Sequence, residues 1–173
     1  MCIKGVMKSF AVIWLAAAGL GISPALADHE LVMTTVDLEI PGTDAIREGD
    51  YERAIALSEG RVDAGWNVRK LAARTNLCIA YTALGDFENA ISWCDAAMEV
   101  GRQGWIAKNN RAVLHLLMGE IDLGHAMLEA AEDTAFGRLY WVAARSNHRE
   151  AEYLESIAQT SADRDSLVVK SAN

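Results

Sequence analysis

Three cysteines, of which Cys2 stands at the very start of the sequence, and four histidines are the side chains best suited to chemistry, and their spacing argues against most of it. Cys78 and Cys94 stand 16 residues apart, with no Cys-x-x-Cys and no evident base to activate either thiol, so thiol redox catalysis is not expected. The histidines are His29, His115, His125 and His148. His125 and Glu129 lie one helical turn apart, as metal ligands can, but no cysteine or second histidine joins them at ligand spacing and there is no His-Glu-x-x-His. A Gly-x-Ser-x-Gly elbow and a phosphate-binding glycine loop are both absent. Carboxylates are plentiful, yet they spread over helix faces or sit at helix starts, as Asp86, Glu88 and Glu120 do. No motif converges on one face, so no catalytic residue, cofactor or metal is expected.

The elements that would position any site come from a repeat. Leu71–Ala97 recurs as Trp105–Ala131, shifted by 34 residues. Asn76 meets Asn110, Cys78 meets Ala112, Tyr81 meets His115, Gly85 meets Gly119, Phe87 meets Ile121, Ala90 meets Gly124 and Cys94 meets Leu128. Each half reads as two amphipathic helices broken at Gly85-Asp86 or Gly119-Glu120. Glycine tolerates the left-handed conformation that ends one helix, and aspartate caps the next. Neither hairpin can bury its apolar stripe alone, so neighbours must stack.

These residues resemble the tetratricopeptide repeat (TPR) family. The pattern is carried by Cys78, Tyr81, Gly85-Asp86-Phe87, Ala90, Cys94 and Ala97, and again by Ala112, His115, Gly119-Glu120-Ile121, Gly124, Leu128 and Ala131. A half-match precedes them at Gly49-Asp50-Tyr51 with Ala54 and Ile55. A degenerate fourth hairpin is expected over about 134–159, turning near Ser146-Asn147. The family's usual proline after the second helix is absent.

The resemblance implies an all-α fold, a short α-solenoid of three to four helix-turn-helix (TPR-like) repeats. It further implies a concave face lined by the first helix of each repeat. Carried onto this chain, the candidate partner-binding residues are Thr75, Asn76 and Ile79, then Asn109, Asn110, Val113 and Leu116. Asn76 and Asn110, one period apart, could hold the backbone of an extended peptide. A structural role within or between helices is the equal alternative. Leu116 and Leu117 favour an apolar groove. Trp66, Trp93, Trp105 and Trp141 are expected in the core.

Residues 1–27 read as a signal peptide. Lys4 and Lys8 precede an uncharged apolar run over 10–22, and Ala25-Leu26-Ala27 fits the cleavage rule. Loss of this segment leaves 14 basic against 24 acidic residues, a net charge of −10, which argues against nucleic acid and anionic surfaces as partners. Cys78 and Cys94 then remain as an even pair in an exported chain, which suggests a disulfide. By the resemblance they face each other across one hairpin. Two reduced, buried thiols are the alternative.

The expected organisation is a signal peptide over 1–27, an extended lead-in over 28–41, a repeat domain over 42–160 and a flexible tail over 161–173. The expected protein is a non-enzymatic protein–protein interaction scaffold of the bacterial envelope, periplasmic or else secreted. It would bind a protein or peptide partner without stable membrane insertion. A hydrolase or redox enzyme on a repeat scaffold, or a self-associating structural subunit, are the alternatives.

Overall fold

Three glycine turns set the chain direction. In the computed structural model, which describes residues 31–100, 104–135 and 138–171 and their side chains except those of 138–142 and 161–171, Gly49, Gly85 and Gly119 have φ of 76°, 76° and 78°. Each turn repeats one hydrogen-bond pattern. The glycine N–H donates three residues back, to the carbonyls of Ile46, Thr82 and Leu116. The next N–H donates five residues back, to those of Ala45, Tyr81 and His115 at 2.9–3.0 Å. Both bonds satisfy carbonyls that a helix end leaves unpaired. The residue after the glycine then caps the following helix. Asp50 accepts from the Arg53 N–H and Asp86 from the Asn89 N–H, while the longer Glu120 makes no such bond.

The helices are α1 (Pro41–Glu48), α2 (Tyr51–Glu59), α3 (Asn67–Ala83), α4 (Phe87–Met98), α5 (Gly104–Leu117), α6 (Ile121–Glu132) and α7 (Arg138–Ser171). No strand occurs among the described residues, so the fold is all-α. None of the helices among these residues is long and apolar enough to cross a membrane. The residues read as a signal peptide lie outside the described part of the chain.

α1/α2, α3/α4 and α5/α6 pack as hairpins, and α7 packs on α5 and α6. The odd-numbered helices also touch in succession, whereas among the described residues no even-numbered helix touches another. The odd helices therefore form an inner layer. Their burial agrees: ten residues of α3 are buried against three of α4, and ten of α5 against three of α6.

Close approach within each hairpin needs small side chains. A Cβ on Gly124 would lie 2.5 Å from Leu116 Cδ2. In the hairpin before it, Cys78 and Cys94 occupy the contact, with their Sγ atoms at the bonding distance of 2.05 Å and their Cα atoms 4.9 Å apart. A second periodic device holds the far end. Arg74 Nη1 donates to the Ala96 carbonyl at 2.7 Å, and Lys108 Nζ, 34 residues on, donates to that of Ala130 at 2.8 Å. Both cations meet the negative, carbonyl-rich end of the outer helix. Arg74 also pairs with Asp63 in the loop between α2 and α3. At the glycine-turn end, burial, the Glu59 and Asp86 carboxylates and a hydrogen bond with Glu59 raise the Tyr81 phenol above its usual range.

The C-terminal part departs from expectation. Ser146 and Asn147 form no turn; both lie inside α7. That helix continues through most of the segment expected as a flexible tail, as far as Ser171. No glycine or proline interrupts its sequence. Ala143, Ala144, Asn147 and Ala151 recur at helical spacing and are all buried, so one unbroken face meets α5 and α6.

Two outcomes test this framework. Gly85→Val forces a branched residue into a left-handed turn and lowers stability by about 1–3 kcal/mol in denaturant titration, while Gly85→Asn loses less. Reduction, or the Cys78→Ala/Cys94→Ala double substitution, releases a 16-residue loop and costs about 3 kcal/mol in the chain-entropy account. Mass spectrometry before reduction shows the chain two hydrogen atoms lighter than after it.

Candidate functional site

All seven residues assigned to a partner-binding face are buried: Thr75, Asn76, Ile79, Asn109, Asn110, Val113 and Leu116. What covers much of this inner surface is the chain itself. Residues 31–36 run extended, the Leu38 and Ile40 N–H groups then donate two residues back in tight turns ahead of α1, and Val32, Met33, Thr34, Thr35 and Val36 are buried in succession. An extended chain turns alternate side chains to opposite sides, so five buried residues in a row mean that it is enclosed on both. The lead-in reaches beyond the first hairpin. Met33 shares a core with Ala45 and Ile46 of α1, Ile79 of α3 and Val113 of α5, and Val36 joins Ala72, Trp105 and Ile106.

Enclosure creates a demand that packing cannot meet. Each buried N–H and C=O needs a partner, and among the described residues no neighbouring strand supplies one. Asparagine amides do so for Val32 and Thr34. Asn110 Oδ1 accepts from the Thr34 N–H at 2.7 Å, and its Nδ2 donates to the Thr34 carbonyl at 2.9 Å. Asn147 acts alike two residues earlier. Its Oδ1 accepts from the Val32 N–H at 2.7 Å and its Nδ2 donates to the Val32 carbonyl at 3.0 Å. Asn109 Nδ2 adds a second bond to that carbonyl at 3.1 Å. The clamps are linked, since Asn147 Nδ2 also donates to Asn109 Oδ1 at 2.8 Å. Residues 32 and 34 present their peptide groups to the same side because backbone direction alternates with period two. One amide carries both a donor and an acceptor, so each clamp replaces one residue of a missing neighbour strand.

The other assigned residues fall elsewhere. Asn76 does not reach the lead-in. Its Nδ2 donates to Thr43 Oγ1 of α1 at 3.1 Å, which joins two inner helices. Ile79 and Val113 pack in the Met33 core. Leu116 is no groove residue: with Ala112, Leu128 and Ala151 it forms a separate core, where it fills the space beside the missing Cβ of Gly124.

Sequence reasoning missed Asn147, which it placed in a turn. The buried alanines four residues before and after it are the signal that puts it on an inward helix face. It also missed Arg74 and Lys108 as end caps, although they stand one period apart.

The tryptophans divide. Trp105 is buried and Trp93 half-buried, but Trp66 is 83% exposed, contrary to the core position expected for it. The Trp141 side chain lies outside the described residues. His115 is buried and pairs through Nδ1 with Glu120 at the third glycine turn. His125 faces Glu155 at 3.6 Å and His148 faces Glu132 at 3.3 Å. Among the described residues no three His, Cys, Asp or Glu side chains gather as metal ligands would.

Compared with protein-family models, curated proteins and solved structures, the chain matches none.

Asn110→Ala leaves two buried backbone groups of Thr34 without partners. It lowers stability by about 2–4 kcal/mol and raises amide hydrogen exchange across residues 32–36. Asn76→Ala, which loses only Thr43, costs less, about 1 kcal/mol. Equal losses, measured by denaturant titration, would contradict the separate roles given to the two asparagines.

Proposed function

We propose that this protein is an exported, non-enzymatic scaffold whose helix pairs form a short TPR-like solenoid. Its inner groove holds a protein or peptide partner in extended conformation. One observation carries the reading: asparagine amides grip the backbone of residues 32 and 34 through both N–H and C=O. Grip on the backbone gives affinity without demanding particular side chains, as when a peptide adds to a sheet edge. Specificity would come from alternate side chains seated in the apolar cores on either side.

In this reading the lead-in is the resident occupant, and a partner segment of similar character takes its place. That segment is short, extended and rich in β-branched or flexible apolar residues, like Val32-Met33-Thr34-Thr35-Val36. The periplasm, or the medium beyond it, is the proposed compartment. Two features support export: the signal-like residues 1–27 and a cysteine pair at disulfide distance.

The reading is tested by cutting the lead-in free within the folded protein. Asp37 and Glu39 are exposed, so a protease site inserted beside Asp37 can be cleaved without first unfolding the groove. A labelled peptide with the sequence of residues 29–38 should then enter, with a rise in fluorescence anisotropy. Asn110→Ala should weaken that entry by about tenfold or more. A cleaved protein that keeps its helical circular dichroism but admits no peptide refutes the reading. Loss of helical signal on cleavage counts equally against it, because a receptor groove must survive the exchange.

A further inference from the structure

Two unlike surface patches on this chain fit each other. The first lies on the loop between α2 and α3. Trp66 is 83% exposed and Val68 38% exposed, and Gly65 ahead of them has φ 78°, which turns the tryptophan outward. Arg61 and Arg69 are exposed beside it and Lys70 is half-buried. None of these three cations joins an ion pair among the described residues, whereas Arg47, Arg53, Arg74 and Arg111 each face a carboxylate. An apolar depression of about 150 Å³ opens between Ile40, Ala64, Gly65 and the two arginines. On a chain of net charge −8, an exposed tryptophan among cations that face no carboxylate, with Arg61 donating to the Leu57 carbonyl, is a local inversion of the surface.

The second patch lies at the opposite helix ends, by the turn between α5 and α6. Leu123 is 51% exposed and Ile157 of α7 is 47% exposed. A hollow of about 400 Å³ is lined there by Gly119, Ile121, Asp122, Glu155, Ala158 and Gln159. Asp122 is exposed and takes part in no ion pair among the described residues, and Glu155 meets only His125, at 3.6 Å.

We propose that Trp66, flanked by Arg61 and Arg69, docks into the hollow beside Asp122 and Glu155 on a second copy of this chain. Aromatic and arginine anchors seated in a pocket are the usual source of interface energy. Opposed charge then sets orientation and excludes partners that lack it. The two patches differ and lie at opposite ends of the helices, so the contact is head-to-tail. It leaves a free patch at each end of every assembly, and copies add without closing at a dimer unless the rotation closes a ring. The asparagine clamps and the buried residues 32–36 take no part, so this contact stands or falls apart from peptide binding.

Sedimentation velocity of the full mature chain over a concentration series is the test. The weight-average mass should rise with concentration beyond that of a dimer. Trp66→Ser, a surface change that leaves circular dichroism unaltered, should weaken association by about tenfold or more. Arg69→Glu and Asp122→Arg should each weaken it alone. Mixing these two variants should restore it, because each contact in an alternating chain then joins opposite charges. A concentration-independent monomer overturns the proposal, as does association indifferent to Trp66→Ser or a mixture no stronger than its components. Binding of the monomer to anionic lipid vesicles through Trp66 would assign the patch to a membrane surface and overturn it too.

Discussion

An extended segment buried on both sides has nowhere to place its peptide groups, and the inner face of this protein is built around that problem. Val32–Val36 are buried, and among the described residues no strand runs beside them. The cost of leaving one buried amide unpaired is about 1–3 kcal/mol, enough to expel the segment if several were abandoned. Asn109, Asn110 and Asn147 meet that demand from two helices, and their mutual hydrogen bonds hold each amide in the orientation the backbone requires. Amides suit this task better than carboxylates or ammonium groups. They offer both bonding roles without a charge that burial would penalise.

The remaining architecture serves to bring those amides to one face. The left-handed turns at Gly49, Gly85 and Gly119 return each outer helix along its inner partner. Arg74 and Lys108 tie the opposite ends at the same 34-residue interval. Between these fixed ends the contact is shortened by a cysteine pair in one hairpin and by Gly124 in the next. Asn109 and Asn110 are carried by α5, and Asn147 reaches the same groove only because α7 runs unbroken past it.

Filling of the groove by the chain's own lead-in changes where partners can be sought. Residues that a bare inner surface would present are withdrawn from solvent, and under the proposed function recognition at that face is an exchange of one extended segment for another. The exposed chemistry lies elsewhere, on the Trp66 loop and beside Asp122. Both patches sit at helix ends, where the repeat pattern places no packing demand and side chains are free to differ from the repeat.

Local rules made several features legible in advance. The period of 34, the glycine turns, the aspartate caps and the small residues at helix contacts are all written in residue type and spacing, because each depends on neighbours within one hairpin. The facing of Cys78 and Cys94 comes from the family resemblance together with their even count, and their Sγ atoms stand at bonding distance. Tertiary structure alone decided the rest. Asn76 and Asn110 occupy equivalent repeat positions, yet one bonds Thr43 and the other grips Thr34, because α1 stands over the first and the lead-in over the second. Asn147 reads locally as a turn former, and burial against α5 and α6 keeps it helical. Partners 76 to 115 residues apart leave no periodic trace, since the matching of a side-chain amide to a distant backbone arises only after the helices have stacked.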